Sequence, residues 1–329
     1  MAKLGLIGLG KWGINHARAY SELAKQGVCK FVGIADVNPM ARAESDKLGV
    51  KFYTDYNQLL KEVDAVSIVV PTNLHYKIVK DCLNAGKHVL VEKPITSNSK
   101  EAKELINLAK KKNLLLMVGY LFRFNNAVQI LKEMVKDVGQ VQYITGRYVH
   151  SNKPPRKDSG VILNFAVHLI DILDYLLEKK PKRIYCKKKN FLSKEREDVA
   201  FINLDYGDFI ANLEVSWFHP QKARDLWIIG ERTKIYADLL EQTLISYPIE
   251  IKQDEVIERD EKFIEVEKNE PLFDELKYFC AAISDKNLQK NHAQSAEKEY
   301  LFTKICEICL KSAQLDQELD VEAELKKNG

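Results

Sequence analysis

A glycine pattern near the start of the chain constrains the fold more than any other feature. Gly8-Leu9-Gly10-Lys11-Trp12-Gly13 follows the short apolar run Lys3–Ile7 and leads into Trp12–Lys25, where apolar residues recur at helical spacing. The first glycine permits a tight turn, the second lets a ligand approach the backbone, and the third lets helix and strand pack closely. The pattern therefore predicts a βαβ unit whose first helix presents its N-terminus to a phosphate.

The same alternation of apolar runs and helical segments continues through the first 120 residues. Further strands are predicted at Phe31–Ala35, Ala65–Val70, His88–Val91 and Leu114–Val118, and further helices at Pro39–Leu48, His75–Ala85 and Ser99–Lys112. Short buried strands that alternate with helices form a doubly wound parallel sheet. We therefore expect an α/β fold in which residues 1–120 form a dinucleotide-binding Rossmann domain.

The pattern changes after about residue 121. Gly160–Leu177 is a strongly apolar helix, and Tyr206-Gly207-Asp208 is typical of a hairpin turn. Long segments in which apolar and polar residues alternate predict strands at Arg183–Phe191, Val199–Tyr206, Phe209–Phe218, Leu226–Ala237 and Phe263–Val266. Helices are predicted at Pro271–Ser284 and Ser295–Leu315. Residues 121–329 are therefore expected to form an α+β domain with an open, mostly antiparallel sheet that binds substrate and mediates oligomerisation.

Charge and cysteine content argue against several other classes of protein. The 329 residues include 50 Lys and Arg against 47 Asp and Glu, which gives no electrostatic reason to expect nucleic acid or membrane as a partner. Six cysteines in so long a chain do not form a disulfide framework, and we expect the reducing cytoplasm. Cys306 and Cys309 lie at helical spacing, which favours core packing over half of a metal site, so no metal is predicted.

Asp36 ends the second predicted strand, 23 residues after Gly13. A carboxylate at this place in a dinucleotide-binding unit accepts hydrogen bonds from the adenosine ribose hydroxyls and repels a 2′-phosphate. NAD is therefore favoured over NADP as the cofactor, although the nearby Arg42 could accommodate the extra phosphate of NADP.

Two polar clusters interrupt otherwise apolar segments. Glu92-Lys93-Pro94 follows the strand His88–Val91, at the edge of an open α/β sheet where ligands bind. In the helix Gly160–Leu177, Asn164, His168 and Asp171 are spaced to lie on one face. Such a stripe either forms a buried hydrogen-bond network or lines a cavity. A lysine can stabilise an alkoxide, and a histidine can take a hydroxyl proton at neutral pH.

The glycine pattern, Glu92-Lys93-Pro94 and the Gly160–Asp171 helix, in this order, resemble the Gfo/Idh/MocA oxidoreductase family along essentially the whole chain. The resemblance implies hydride transfer between a nicotinamide and a sugar, inositol or sugar nucleotide. It implies that Lys93 lies beside the reacting hydroxyl, that Pro94 follows a cis peptide bond, and that His168 is the acid/base. The implied cofactor contacts are Gly8, Gly10, Lys11, Trp12, Gly13, Asp36, Pro71, Thr72, Asn73, His75, Glu92 and Lys93.

One departure from the family concerns the acid/base. Asn164 occupies the position, one turn before His168, where the family usually has Asp. A carboxylate would increase the basicity of the imidazole, whereas an amide can only orient it. Asn164 is still assigned to the catalytic and substrate-binding set. Three hypotheses are left: a sugar-nucleotide dehydrogenase, a dehydrogenase of a free sugar or inositol, and a non-catalytic NAD-binding regulator.

Several segments resemble one subgroup, the UDP-N-acetylglucosamine 3-dehydrogenases. They are Gly119–Asn125, Arg156–His168, Ser216–Leu226 and Asn269–Leu272. The resemblance implies oxidation at C3 of the N-acetylglucosaminyl group, with Lys93, Arg123, Asn125, Arg156, Asn164 and His168 as substrate contacts. Surface or interdomain contacts are an equal alternative for Arg123, Asn125 and Arg156. A sheet with one face uncovered by helices predicts a homodimer or homotetramer.

Overall fold

The chain is described by a computed structural model over residues 1–150, 158–192, 194–252 and 255–327. It divides into two compact units. The first comprises Met1–Tyr120 with Leu272–Thr303, and the second comprises Leu121–Pro271 with Lys304–Gly329. The boundary after residue 120 agrees with the sequence analysis. The grouping of Leu272–Thr303 with the first unit differs from it, because residues 121–329 were expected to form a single domain.

The first unit contains a parallel six-stranded sheet with the strand order β3-β2-β1-β4-β5-β6. Its elements are β1 (Lys3–Ile7), α1 (Gly13–Lys25), β2 (Lys30–Ala35), α2 (Arg42–Lys47), β3 (Lys51–Tyr53), α3 (Tyr56–Leu60), β4 (Ala65–Ile68), α4 (His75–Asn84), β5 (His88–Glu92), α5 (Ser99–Lys112) and β6 (Leu116–Gly119). The order reverses direction at β1, and this is where open α/β sheets bind their ligands.

The sequence analysis found the buried elements of this unit and missed two short ones. The central strands β1, β4 and β5 consist almost wholly of buried residues, so their apolar runs are clear in the sequence. The strand β3 is three residues long and none of them is buried, and the helix α3 is five residues long. Both elements are too short for a hydrophobic period to be recognised. Asn98, and not Ser99, caps α5, because its side chain accepts a hydrogen bond from the backbone N–H of Glu101.

In the described residues, the second unit forms a ten-stranded, mostly antiparallel sheet. The remaining elements of the chain are α6 (Asn126–Met134), β7 (Val141–Val149), α7 (Val167–Leu177), β8 (Arg183–Lys189), β9 (Val199–Asp205), β10 (Ile210–Ser216), β11 (Ala223–Gly230), β12 (Thr233–Asp238), β13 (Thr243–Lys252), β14 (Glu255–Glu258), β15 (Lys262–Ile264), α8 (Pro271–Ser284), α9 (Lys286–Leu315), β16 (Leu319–Asp320) and α10 (Val321–Lys326). Of these, α8 and the first part of α9 belong to the first unit.

The strand order is β14-β13-β12-β11-β7-β10-β9-β8-β16, with β15 paired to β13. The long segment Leu226–Ala237 predicted as one strand is two strands, β11 and β12, which turn at Glu231-Arg232. The sequence analysis predicted no element between residue 121 and Gly160, whereas the structure has α6 and β7 there. Strand β7 lies between β10, to which it is parallel, and β11, to which it is antiparallel.

Aromatic and thiol side chains explain why Leu272–Thr303 belongs to the first unit. Phe302 on α9 packs edge-to-face on Tyr120, with ring centres 5.6 Å apart. Cys280 on α8 and Cys29 before β2 are buried and interact through their thiols. These contacts join residues that are distant in sequence, and no local pattern predicts them.

The prediction that Cys306 and Cys309 pack in a core is confirmed, since both are fully buried on α9. Within the described residues, no helix combines the length and the apolar character needed to cross a membrane.

Candidate active site

The glycine loop between β1 and α1 has the geometry that a dinucleotide requires. Gly8 has a φ of +97°, and a Cβ on it would lie 2.3 Å from the carbonyl oxygen of Val69. A Cβ on Gly13 would lie 2.2 Å from the carbonyl oxygen of Gly8, so only glycine lets α1 approach the strand. A Cβ on Gly10 would meet nothing within 4 Å. Open space at the second glycine, beside two crowded ones, fits a pyrophosphate against the backbone.

Asp36 follows β2, and its carboxylate is held against this loop. One oxygen accepts a hydrogen bond of 2.6 Å from the N–H of Leu9, and the other accepts one of 2.8 Å from the N–H of Asn38. These bonds fix a negative group at the end of β2, the place where dinucleotide-binding units generally hold the ribose hydroxyls. The contact of Asp36 with the cofactor stays a prediction. Arg42, which left room for NADP in the sequence, lies over the ring of Phe52, with its guanidinium carbon 5.1 Å from the ring centre. The arrangement favours NAD.

Glu92, at the end of β5, is buried and accepts three hydrogen bonds. Its Oε1 accepts from the indole N–H of Trp12 at 2.7 Å and lies 3.1 Å from Nε2 of His16, while its Oε2 accepts from the backbone N–H of Lys93 at 3.2 Å. Burial opposes ionisation, but the hydrogen bond with His16 and the charges of His16 and Lys93 outweigh it, so the pKa of Glu92 lies below its usual range. The sequence analysis named Glu92 and Trp12 and missed His16.

Lys93 lies in the loop after β5, at the carboxyl edge of the parallel sheet, and is half-buried. The Lys93–Pro94 peptide bond is cis, which confirms the expectation from the resemblance. The carbonyl oxygen of Pro94 lies 2.8 Å from Nδ1 of His75, whose Nε2 lies 3.0 Å from the carbonyl oxygen of Val70. The buried imidazole of His75 therefore links the loop after β4 to the loop that carries Lys93.

The other residues expected at the cofactor differ in exposure. Lys11, Pro71 and Asn73 are exposed, whereas Thr72 is buried at the start of a short 3-10 turn before α4. All of them lie in loops that follow β1 or β4, at the same edge of the sheet as Lys93. Their cofactor contacts stay predictions.

In the second unit, aromatic rings surround His168, which is buried on α7. Its ring is nearly parallel to that of Tyr148 on β7, with centres 5.3 Å apart, and it meets the ring of Phe122 edge-on at 5.3 Å. Phe165 stacks on Tyr148 at 4.5 Å. Packing against the rings of Tyr148 and Phe122 restricts the orientation of the imidazole.

Asn164 lies in a π-helical turn, Ile162–Ala166, that leads into α7. A buried carboxylate lies at the start of this turn, because Glu197 accepts a hydrogen bond of 3.0 Å from the backbone N–H of Ile162. A Cβ on Gly160 would lie 2.1 Å from this carboxyl group, so any larger residue there would displace the side chain of Glu197. π-Helical turns inside helices are frequent at functional sites. Sequence periodicity predicted an ordinary helix and missed both the wider turn and Glu197.

Two of the residues predicted to contact substrate form hydrogen bonds to other residues of the protein. The Nε of Arg123 donates to the carboxylate of Asp171 at 2.7 Å, in a buried ion pair. Asn125 caps α6 by accepting from the N–H of Val128 at 3.3 Å, and its amide donates to the carbonyl of Leu239 at 3.1 Å. These bonds support the structural alternative for both residues, whose contact with substrate stays a prediction.

Arg156 lies outside the described residues. His168 and Asp171 both face the short 3-10 turn Leu121–Phe124, through Phe122 and Arg123, as their spacing predicted. That Asn164 shares this face stays a prediction. Lys93 belongs to the first unit, and Asn164 and His168 belong to the second.

Comparison with known proteins identifies the family. Residues 2–120 match the model of an oxidoreductase family with an NAD-binding Rossmann fold, Gfo/Idh/MocA, and residues 128–236 match a C-terminal domain of the same family. A UDP-N-acetylglucosamine 3-dehydrogenase of Acidithiobacillus ferrooxidans is 30% identical over 247 residues, which cover 74% of this chain and 76% of the relative. The chain belongs to the Gfo/Idh/MocA oxidoreductase family. It is an NAD(P)-dependent oxidoreductase of the class that acts on CH–OH groups.

Other members of the family are also similar. A myo-inositol 2-dehydrogenase of Thermotoga maritima is 28% identical over 265 residues, which cover 74% of this chain and 77% of the relative. The solved structure of the Acidithiobacillus ferrooxidans UDP-N-acetylglucosamine 3-dehydrogenase superimposes with a TM-score of 0.76 at 26% identity, covering 92% of this chain and 97% of that one. A levoglucosan dehydrogenase in complex with NADH and L-sorbose has a TM-score of 0.82 at 20% identity, covering 97% of this chain and 98% of that one, and shares the fold.

The placement of Asp36 yields a prediction about the cofactor. Replacing Asp36 with alanine removes both the acceptor for the ribose hydroxyls and the charge that repels a 2′-phosphate. We expect the ratio of kcat/KM for NAD to that for NADP to fall roughly tenfold or more. Steady-state kinetics with each cofactor measures this ratio. Glu44→Ala on α2 is the control, and an unchanged ratio in Asp36→Ala would contradict the assignment.

Proposed function

We propose that this oxidoreductase oxidises the C3 hydroxyl of UDP-N-acetylglucosamine with NAD, giving the 3-keto sugar nucleotide and NADH. The observation that carries the proposal is the 30% identity to a UDP-N-acetylglucosamine 3-dehydrogenase over most of both chains. The segments Gly119–Asn125 and Ser216–Leu226 support it, because they resemble the same subgroup.

Lys93 and His168 divide the chemistry of the alcohol between them in this proposal. The ammonium of Lys93 donates a hydrogen bond to the reacting hydroxyl and stabilises the negative charge that develops on its oxygen. The imidazole of His168 takes the hydroxyl proton. A bound nicotinamide would supply the acceptor for the hydride of this carbon. The hydrogen bond from the Lys93 N–H to Glu92 holds the backbone that carries the ammonium.

The residues of the first unit that would hold NAD are those of the glycine loop and Asp36. The open space at Gly10 fits the pyrophosphate, and the carboxylate of Asp36 fits the ribose. Trp12 is 41% exposed, although its indole N–H is bonded to Glu92, so part of the residue is accessible to the cofactor.

A dehydrogenase of a free inositol is the second candidate, because the Thermotoga maritima myo-inositol 2-dehydrogenase is similar over a comparable share of the chain. Both candidates use the same roles for Lys93 and His168. They differ in what holds the substrate, since inositol has no phosphate.

The direct test is NADH formation from NAD with UDP-N-acetylglucosamine, UDP-glucose or myo-inositol. A coupled aminotransferase supplied with an amino acid removes the product by converting its keto group to an amine, because the 3-keto sugar is uphill from the alcohol. We expect turnover with UDP-N-acetylglucosamine. We expect Lys93→Ala to abolish this turnover while the Kd for NADH changes by no more than about threefold. Lys100→Ala, an exposed change on α5, is the control. Turnover by Lys93→Ala would refute its role, and turnover with inositol alone would refute the substrate.

Asn164→Asp tests the acid/base role of His168. A carboxylate one turn before the imidazole would stabilise its protonated form, so we expect the acidic limb of the kcat/KM profile to move to higher pH by about one unit. Steady-state rates between pH 5 and pH 9 measure the limb. Asn164→Ala is the control without charge. If Asn164→Asp leaves both the rate and the profile unchanged, His168 is not the group that titrates.

We also propose that the open face of the second sheet forms a homodimer or homotetramer. Tyr143, Phe201 and Ile210 point to one face of the sheet, by the register of β7, β9 and β10, and are 48%, 57% and 43% exposed. Trp227 and Tyr236 extend the apolar surface on β11 and β12, with ring centres 4.8 Å apart. Adjacent exposed aromatic side chains on a sheet are typical of subunit interfaces.

Phe201→Asp places a negative charge on this face. We expect the variant to have a lower mass than the parent in size-exclusion chromatography with light scattering, because a buried unpaired carboxylate disfavours association. Leu315→Asp, which adds the same charge at the end of α9, should leave the mass unchanged. A monomeric parent, or a Phe201→Asp variant of undiminished mass, would contradict the interface.

A cytoplasmic location is also proposed. All six cysteines are free and buried. Thiols that are not paired in disulfides suit a reducing compartment.

A further inference from the structure

Arg224 on β11 differs from the neighbouring arginines of the second unit. Arg123 is paired with Asp171, and Arg147 is paired with Asp225. No carboxylate in the described part of the chain forms an ion pair with Arg224. Its Nε is buried and has no hydrogen-bond partner among those residues, while the side chain as a whole is half-buried. An arginine in this state has donors available for a ligand.

Aromatic rings hold the guanidinium in place. Its central carbon lies 4.5 Å from the ring centre of Tyr148 and 5.8 Å from that of Phe122. Arg224 is directly opposite Tyr148 in the pairing of β11 with β7, so both side chains point to the same face of the sheet. This is the face that carries α7, because Tyr148 stacks on His168.

The same two rings contact the proposed acid/base. Phe122 and Tyr148 each lie 5.3 Å from the ring of His168, centre to centre. The guanidinium of Arg224 and the imidazole of His168 are therefore neighbours across one pair of aromatic rings. A positive group and the proposed acid/base thus contact the same two rings within one unit, and no carboxylate in the described residues forms an ion pair with the positive group.

The cation–π interaction of a guanidinium with aromatic rings compensates only part of the free energy that its removal from water costs. A buried N–H without a partner adds to that cost, and such groups in folded proteins usually serve a purpose. An anion bound by Arg224 would satisfy both the charge and the N–H groups. Guanidinium nitrogens form paired hydrogen bonds to phosphate and carboxylate oxygens.

We propose that Arg224 binds a phosphate of the substrate and so selects sugar nucleotides against free polyols. This rests on the proposed function, which places a hydroxyl of the sugar at His168. In a sugar nucleotide, the phosphate is attached to the same ring as that hydroxyl, so the ring spans the two groups. A free inositol or sugar has no anion to bind Arg224 and would leave its charge uncompensated.

Binding to the NADH-loaded enzyme tests the proposal without requiring turnover, because NADH occupies the other phosphate-binding site. Isothermal titration calorimetry with UDP, N-acetylglucosamine 1-phosphate and glucuronate separates the sources of the anion. We expect a phosphate ligand to bind, and we expect Arg224→Gln to weaken it by roughly tenfold or more, with Arg224→Lys between them. Arg232→Gln, an exposed arginine after β11 with the same charge, should bind like the parent.

The kinetic readout distinguishes binding from the positioning of Tyr148 and His168. We expect Arg224→Gln to raise KM for a sugar nucleotide by a similar factor while kcat changes by less than about threefold. If kcat falls and phosphate binding is unchanged, Arg224 only orients the rings and the proposal is overturned. Binding of glucuronate alone, or of none of the three ligands, also overturns it. Arg224-dependent binding of UDP without turnover of UDP-N-acetylglucosamine upholds it and refutes only the proposed substrate.

Discussion

The buried carboxylate of Glu92 is the interaction on which the first unit depends. It accepts hydrogen bonds from Trp12 in the glycine loop, from His16 on α1 and from the N–H of Lys93. A carboxylate is normally costly to bury, and here three donors compensate for its desolvation. One ionised group therefore fixes both the loop that fits NAD and the backbone of the lysine assigned to catalysis.

The second unit combines a buried carboxylate with stacked aromatic rings. A second buried carboxylate, Glu197, lies against Gly160 at the start of the π-helical turn before α7. Aromatic rings then hold His168 in one orientation, and the nearest of them, Tyr148 and Phe122, also hold Arg224. Hydrogen bonds to buried carboxylates hold the backbone in both units, whereas stacking of aromatic rings orients side chains in the second unit.

Patterns in the sequence predicted the elements that show a hydrophobic period and the motifs whose residues have a fixed spacing. The βαβ alternation and the glycine loop with Asp36 were found in the structure, as was the cis bond before Pro94 that the family resemblance implied. The residues missed act through contacts between distant segments. His16 is 76 residues from Glu92, Glu197 is 35 residues from Ile162, and Arg224 meets Tyr148 only because β11 pairs with β7. Neither helical nor strand periodicity carries information about such partners.

The most direct test of the central claim is the origin of the transferred hydrogen. The enzyme is mixed with NAD and UDP-N-acetylglucosamine that carries deuterium at C3, and the NADH formed is analysed by mass spectrometry. The account predicts deuterated NADH from this substrate and unlabelled NADH when the deuterium is at C4. Unlabelled NADH from the C3-labelled sugar, or labelled NADH from the C4-labelled one, would contradict it.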